Sequence, residues 1–322
     1  MDTTPYGRNM KLKVAISIGD LNGIGIQLAL ENHDTISKLI TPLYCIDKTM
    51  IEQAEKKLNL TIPTNFKTIE DIAPNFEITA GEVSQASGAY AYASFVKAVE
   101  LAQEKKVDAI CTLPIHKKAW ELAGIKYKGH TDALRDFFDA KAIMMLGCEE
   151  MYVALFTEHI PLKEVAQNIN EKDLTRFLLD FYKTAKPTST VAVLGLNPHA
   201  GDDGVLGDEE TIIQKAIDNA NLIINPNYCR GEDTPTYSNP LVPDVAFTPN
   251  VRKNYRHYIA MYHDQGLAPL KALYFDEGIN VSLNLPILRT SVDHGTAFDI
   301  AYKGFKLNHL SYINAIKYIV KN

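Results

Sequence analysis

LKVAISIGDLNGIGIQLALEN, residues 12–32, opens the ordered part of the pattern. Residues 12–18 form an almost continuous apolar run, as in a strand buried on both faces. The run enters GDLNGIG, residues 19–25, and a helix is expected from there to about residue 32. Strand, glycine turn and helix in that order make a ligand-facing loop. Gly23 and Gly25 have the spacing of a dinucleotide fingerprint, but its third glycine position holds Leu28. A tight turn with no ligand therefore explains the loop equally well.

The same alternation continues along the chain. A strand is expected at 42–46, a helix at 48–58, then an irregular stretch with Pro and Asn to about residue 77. Residues 87–106 have helical spacing, with Tyr90, Ala93, Phe95, Val96, Val99 and Ala102 on one broad apolar face. VDAICTLP, residues 107–114, reads as a second doubly buried strand, followed by a turn and a helix carrying His116, Lys117, Lys118 and Trp120. Strands alternating with helices indicate an α/β fold built mainly on parallel sheet. GHTDAL, residues 129–134, has Thr131 or Asp132 as the expected cap of a helix. His130 and Thr131 then either serve that cap alone or bind an anion at the helix start.

Three further strands are expected at 152–156, 190–196 and 258–262, each with a histidine just beyond it: His159 in TEHIPL, His199 in NPHAGDDGVLGDEE and His263 in YHDQGL. A strand at 142–146, helices at 162–167 and 174–183, and a helix capped by Asp208 and reaching about residue 224 complete this region. A lone histidine beside an apolar strand is usually structural. Three at strand ends, where open α/β sheets bind ligands, suggest a catalytic divalent-metal site, since zinc or another first-row ion accepts three imidazoles and keeps a position open. Whether they converge is not written in the sequence. Residues 261–301 add Asp264, Lys271, Asn280, Arg289 and the turn His294, Gly295, Thr296. Cations and a backbone nest beside a metal ligand suit an anionic substrate held against a metal.

Composition removes other classes. At 322 residues the chain exceeds one ordinary core, so one large or two medium domains are expected. It is 46% hydrophobic and 22% charged, which fits a soluble globular protein. The 39 acidic and 33 basic side chains give a net charge of −6 with no basic block, which argues against a nucleic-acid partner. Cys45, Cys111, Cys148 and Cys229 form no CxxC pair, so free thiols in a reducing compartment are expected. No apolar stretch approaches the ~20 residues of a membrane span, and the protein is expected in the cytoplasm.

ISIGDLNGIG, CTLPIHKKAW, GHTDAL, TEHIPL, LGLNPHAG, YHDQGL and LRTSVDHGTAFDIA, in this order and spacing, resemble the 4-hydroxythreonine-4-phosphate dehydrogenase family of vitamin B6 biosynthesis. The resemblance runs from about residue 12 to the C-terminus. It implies an isocitrate/isopropylmalate dehydrogenase-like fold, with two α/β domains and a cleft between them, working as a homodimer whose active sites lie at the subunit interface. By chain segments, the first domain is expected over 1–125 plus 265–322 and the second over 126–264. His159, His199 and His263 match the family's three metal ligands, which are shared between dimer partners, for zinc, cobalt, magnesium or manganese. His130, Thr131, Lys271, Asn280 and Arg289 match its substrate-binding positions, and Lys271 is also the catalytic candidate. HGTAFDIAYKG is similar to the cofactor loop of isopropylmalate dehydrogenases, which implies NAD, with NADP open, near Gly295, Thr296 and Asp299.

The implied reaction is oxidation of the secondary alcohol of a phosphorylated hydroxy amino acid, 4-phosphohydroxy-L-threonine, with hydride passing to NAD. The resulting 3-oxo acid loses carbon dioxide to give 3-amino-2-oxopropyl phosphate. A divalent ion on the alcohol oxygen eases deprotonation and stabilises the charge that decarboxylation leaves there. The first loop departs from the family's usual GDPAGIGPE at Leu21, Asn22, Ile26 and Gln27, GHTE becomes GHTD, and Pro-Ala-Asp becomes Val242, Pro243, Asp244. Relatives that oxidise four-carbon sugar-acid 4-phosphates (threonate or erythronate 4-phosphate) are one alternative. A phosphate acyltransferase of the same superfamily, needing neither metal nor nicotinamide, is another.

Overall fold

The computed structural model describes residues 11–228 and 234–322. Cys229 lies outside the described residues; Cys45, Cys111 and Cys148 are buried free thiols. Along the chain the elements are β1 (Lys13–Ser17), α1 (Gly25–Ile36), β2 (Thr41–Cys45), α2 (Lys48–Leu58), β3 (Thr68–Ile69), α3 (Gln85–Gln103), β4 (Ala109–Thr112), α4 (Lys117–Leu122) and α5 (His130–Phe138). Then come β5 (Ile143–Cys148), β6 (Met151–Leu155), α6 (Val165–Asn168), α7 (Glu171–Ala185), β7 (Val191–Leu194), α8 (Glu209–Ile224), β8 (Tyr237–Leu241), α9 (Pro243–Ala246) and α10 (Pro249–Arg252). The chain closes with β9 (His257–Ala260), α11 (His263–Tyr274), β10 (Ile279–Leu283), β11 (Leu288–Val292) and α12 (Leu310–Lys321). The α/β expectation holds throughout.

The described residues divide into two compact units, one of 11–133 with 287–322 and the other of 134–228 with 234–286. In the first, the strands run in the order β3-β2-β1-β4-β11, and every pair is parallel. Strands β1 and β4 are buried almost from end to end, as their unbroken apolar composition requires when helices cover both faces. The chain leaves β1 to β2 on one side and later returns to β4 on the other. The carboxyl ends of β1 and β4 therefore flank a topological switch point, where open α/β sheets form ligand crevices.

In the second unit the order is β10-β5-β6-β9-β7-β8. Strands β10 and β5, and β5 and β6, pair antiparallel, while β6-β9-β7-β8 are parallel. Val153 and Leu155 of β6, Leu194 of β7, and Tyr258 and Ala260 of β9 share one buried cluster with Leu267 and Leu270 of α11. Helix α11 lies very close to that sheet: a carbon added at Gly266 would stand 2.4 Å from Val153 Cγ1 and 2.8 Å from Ala260 Cβ. Glycine is needed there for the approach.

Two local expectations are corrected. Helix α5 begins at His130, so Thr131 and Asp132 lie inside its first turn instead of capping it. Asp132 Oδ2 accepts from Lys128 N at 3.1 Å, and Gly129 O accepts from Ala133 N at 3.1 Å. Likewise β9 ends at Ala260, and His263 opens α11 where an extended strand to residue 262 was expected. Gly266 and Pro269 hide that helix in the sequence, because both residues disfavour helix interiors.

Candidate active site

Three loops gather at the switch point of the first unit. Asp20 N donates to Pro114 O at 2.8 Å, tying the loop after β1 to the one after β4. Ile24 N donates to Thr296 O at 3.0 Å, and Tyr302 Oη donates to Leu21 O at 2.6 Å, tying the same loop to residues that follow β11. His116 stacks on Phe298 with ring centroids 4.8 Å apart, and its Nδ1 is buried without a partner among the described residues. Of the three cofactor candidates, Thr296 is buried, while Gly295 and Asp299 are exposed. Residues 298–304 form successive turns before α12.

The altered residues of the first loop have structural partners. Asn22 Nδ2 donates to Glu82 O at 2.8 Å, and its Oδ1 accepts from Thr79 N at 2.9 Å. Gln27 Nε2 donates to Glu31 Oε1 at 2.8 Å and to Phe305 O at 3.2 Å. Leu21 is fully buried. An alanine at 22 makes neither side-chain bond, so Asn22 adds a clamp between this loop and residues 79–82. Asp20 is completely buried, accepting from Asn22 N at 3.0 Å and Ser87 Oγ at 3.2 Å. Burial disfavours its charged form and raises its pKa from 3.8 to about 6, against the pull of those two hydrogen bonds.

Arg289 of β11 is 2% exposed, and its guanidinium donates to Thr112 Oγ1 of β4 at 2.7 Å. Burial lowers its pKa to about 10, so it remains a cation at neutral pH. His130 is packed edge-on against Phe95 and Trp120, at centroid distances of 4.8 and 5.4 Å. Burial first, and the positive charge of Arg289 second, hold its pKa well below the ordinary imidazole value. His130 is therefore neutral, with Nε2 buried and lacking a partner among the described residues. A fixed cation, a neutral imidazole and Thr131 in the first turn of α5 form a set suited to an anion.

The second unit carries the remaining candidates. His159, His263 and His199 follow β6, β9 and β7, three adjacent parallel strands whose carboxyl ends face the same way. The rings of His159 and His263 lie 5.6 Å apart and tilted by 44°. His263 Nδ1 pairs with Asp264 Oδ1 at 2.7 Å, which leaves Nε2 as the nitrogen that could face a ligand. His199 sits on a turn with left-handed backbone, and among the described residues no three His, Cys, Asp or Glu side chains are gathered closely enough to hold a metal ion. The donor chemistry and strand topology fit a divalent ion. Two of the three rings are brought together, and the third is not. Lys271, half-buried on α11, has its ammonium 5.7 Å from the centre of the Phe275 ring, and Asn280 on β10 has a buried Oδ1 without a partner among the described residues.

Comparison with known proteins adds the family. The model described as "Pyridoxal phosphate biosynthetic protein PdxA" matches residues 38–319. The chain belongs to the PdxA family. It is 59% identical over 307 residues to the 4-hydroxythreonine-4-phosphate dehydrogenase of Sulfurimonas denitrificans, covering 95% of this chain and 96% of that one. It is 50% identical over 310 residues to the enzyme of the same name from Campylobacter fetus, covering 96% and 97%. A solved structure of a putative 4-hydroxythreonine-4-phosphate dehydrogenase from Salmonella typhimurium superposes with a TM-score of 0.79 at 30% identity, covering 97% of this chain and 99% of that one. As a PdxA-family member the chain is a dehydrogenase, which removes the acyltransferase alternative. Among the described residues no helix is long and apolar enough to cross a membrane.

Several side chains that shape these sites were not singled out in the sequence. Thr112 seats Arg289, while Glu210 and Gln265 bond to the main chain around His199 and His263. Their partners lie 177, 13 and 4 residues away. The only local signal was polarity at places where the surrounding pattern is apolar or turning.

Proposed function

We propose that the chain is an NAD-dependent, divalent-metal-dependent 4-hydroxythreonine-4-phosphate dehydrogenase: it oxidises 4-phosphohydroxy-L-threonine to the 3-oxo acid, which decarboxylates to 3-amino-2-oxopropyl phosphate for pyridoxal phosphate biosynthesis. The observation that carries the metal-dependent reading is the succession of His159, His263 and His199 after three adjacent parallel strands, with two of the rings 5.6 Å apart. Family membership and the 59% identical relative support the reaction and substrate.

In this reading His159, His263 and His199 hold the ion, and residues around Gly295, Thr296 and Asp299 hold the dinucleotide. When bound, the ion supplies Lewis acidity at the substrate oxygen, and the nicotinamide supplies a hydride acceptor. Arg289, kept cationic and fixed by Thr112, binds an anionic group of the substrate. His130 Nε2 and Thr131 orient that group without adding charge. Asn280 Oδ1 accepts from a substrate donor. The ammonium of Lys271 is the proton donor to the oxygen on which charge accumulates, or a hydrogen-bond donor that holds the ionised carboxylate before it leaves as carbon dioxide. A homodimer and a cytoplasmic location follow from the family resemblance, and light scattering of the purified protein tests the first.

The deciding experiment follows NADH formation by full-length protein with 4-phosphohydroxy-L-threonine and with threonate and erythronate 4-phosphates, before and after chelation. Turnover of the first substrate, lost on chelation and restored by a divalent ion, is expected. Turnover of only the sugar-acid phosphates would move the enzyme to another pathway, and turnover unaffected by exhaustive chelation would remove the metal.

A further inference from the structure

The turning segment after β11, in the first unit, is held at four points by residues 21–31. Two of the ties reach the loop after β1: Ile24 N donates to Thr296 O, and Tyr302 Oη donates to Leu21 O. The other two come from side chains on one face of α1. Gln27, 5% exposed, uses both protons of its amide, donating to Phe305 O at 3.2 Å and to Glu31 Oε1 at 2.8 Å. Glu31 stands four residues on, above Gln27 on the same face, and its other oxygen pairs with His309 Nε2 at 2.8 Å. His309 is the N-cap residue of α12, so this last tie fixes where the turning segment ends.

Between these points the chain follows a course that it does not favour by itself. Ala297 and Tyr302 have φ of 44 and 60°, left-handed values that L-residues keep only where surrounding contacts impose them. Ala297 comes directly after one tied residue, and Tyr302 is another. The segment is seated hard against the loop after β1: a carbon added at Gly23 would stand 2.7 Å from Thr296 O. The side-chain ties also explain the residue type at 27, where the family's usual loop has glutamate. A carboxylate accepts only, so a glutamate there has no proton for Phe305 O and adds a second negative charge beside Glu31. Glutamine joins both partners.

We propose that Gln27, Glu31 and His309 are positioning residues for the dinucleotide: together they anchor the far end of residues 294–309 to α1, so that Gly295, Thr296 and Asp299 meet NAD in one fixed conformation. This rests on the reading above that places NAD at those three residues. Turns take their course from where their ends are held, and a binding loop is only as well placed as the groups that support it. The three side chains act through Phe305 O and the start of α12, not by contact with the cofactor.

The test is titration of the full-length protein with NADH, read by the fluorescence of the reduced nicotinamide and by calorimetry, with KM for NAD, KM for the phosphorylated substrate, kcat and thermal unfolding measured alongside. Gln27→Met removes both donors at similar length, and Gln27→Glu also adds a charge beside Glu31. Each should weaken NADH binding and raise the KM for NAD about 2–10-fold, the range set by losing a hydrogen bond, while kcat and the substrate KM stay within twofold of wild type. Glu31→Ala should match Gln27→Met, and the double variant should lose less than the two single losses combined, because both side chains act in one line. Should the Gln27 variants fail to fold, His309→Ala cuts the line at its part-exposed end and should raise the KM for NAD in the same selective way. Asp299→Ala reports on the cofactor reading itself and should also weaken NADH binding. Wild-type NADH affinity in the folded Gln27, Glu31 and His309 variants, or losses shared equally by NAD and substrate, with Asp299→Ala still impaired, would overturn the positioning role alone. An unaltered Asp299→Ala, or a wild type that neither binds NADH nor turns over with NAD, would overturn the cofactor reading and this inference with it.

Discussion

Replacing Asp20 by Asn should make the first unit more stable at neutral pH, and by an amount that depends on pH. The carboxyl is fully buried in the first loop, and burial raises its pKa from 3.8 to about 6. At about 1.4 kcal/mol for each pH unit between the two values, ionising this group in the folded loop costs ~3 kcal/mol relative to the unfolded chain. The sign follows from the direction of the shift. Well below pH 3.8 the group is protonated in both states and costs nothing. Between pH 3.8 and about 6 the unfolded chain loses the proton while the folded chain keeps it, so the cost grows with pH and is complete once the folded group also ionises above about 6. Asn retains the acceptor for Asn22 N and presents an amide that Ser87 Oγ can accept. Trp120, the chain's single tryptophan, is fully buried in the same unit, so its fluorescence during urea unfolding reports the relevant transition. The pH-dependent part of the stability difference between Asp20→Asn and wild type should be only ~0.5 kcal/mol at pH 4 and open to as much as ~3 kcal/mol by pH 7.5. A gap of constant size across that range, or an Asn variant less stable than wild type at pH 7.5, would refute the assignment of the cost to the buried charge.

Other perturbations have equally definite outcomes. Thr112→Val keeps the shape but removes the acceptor for the Arg289 guanidinium, a bond to a charged group worth about 1.5–3 kcal/mol; kcat/KM for the phosphorylated substrate should fall about 10–100-fold, and Thr112→Ser should restore most of it. Asn22→Ala removes two side-chain bonds that clamp residues 79–82, and tryptophan-detected unfolding should show a loss of about 1–3 kcal/mol. Lys271→Met should lower kcat by about 10²–10⁴ while calorimetry still detects substrate binding, and a kcat within twofold of wild type would exclude a proton-donating role. Cys45 and Cys111 are buried with thiols raised to about 12, so both should resist alkylation at pH 8 until urea unfolds the first unit, as mass spectrometry of the labelled peptides would register.

The alternation of doubly buried strands with amphipathic helices was legible because each segment has its own period. Helix α2 falls on residues 48–58 as expected, and β1 and β2 lie within a residue of their expected starts and ends. The ends of β6 and β7 were legible to within two residues for the same reason, which is why His159 and His199 stood out, whereas β9 stops two residues short of its expected end. What the pattern concealed depends on contacts across the fold. Helix α11 carries Gly266 for a sheet too close to admit a side chain, and Pro269 inside the same helix, so its local signal argues against helix. Glu210 looks like one more acid in the first turn of a helix, a common placement beside the positive end of the helix dipole. Its bonds to Leu196 and Asn197 exist only once the loop has folded back over 14 and 13 residues. Nothing in the periodicity announces a left-handed turn at residues 199–203, since four of its five residues are not glycine.

The pairing of a permanently neutral His130 with a permanently charged Arg289 has a consequence for how affinity responds to acidity. The histidine's pKa is held far below its usual range and the arginine's is about 10, so neither changes its charge across the physiological interval. An anion bound there meets a receptor of constant charge. A phosphate monoester, in contrast, loses its second proton near pH 6. Where these two side chains meet it, the phosphate's inflection near that pH is therefore the ligand's own, displaced by complex formation, with the pair acting as a fixed electrode against which the phosphate is read.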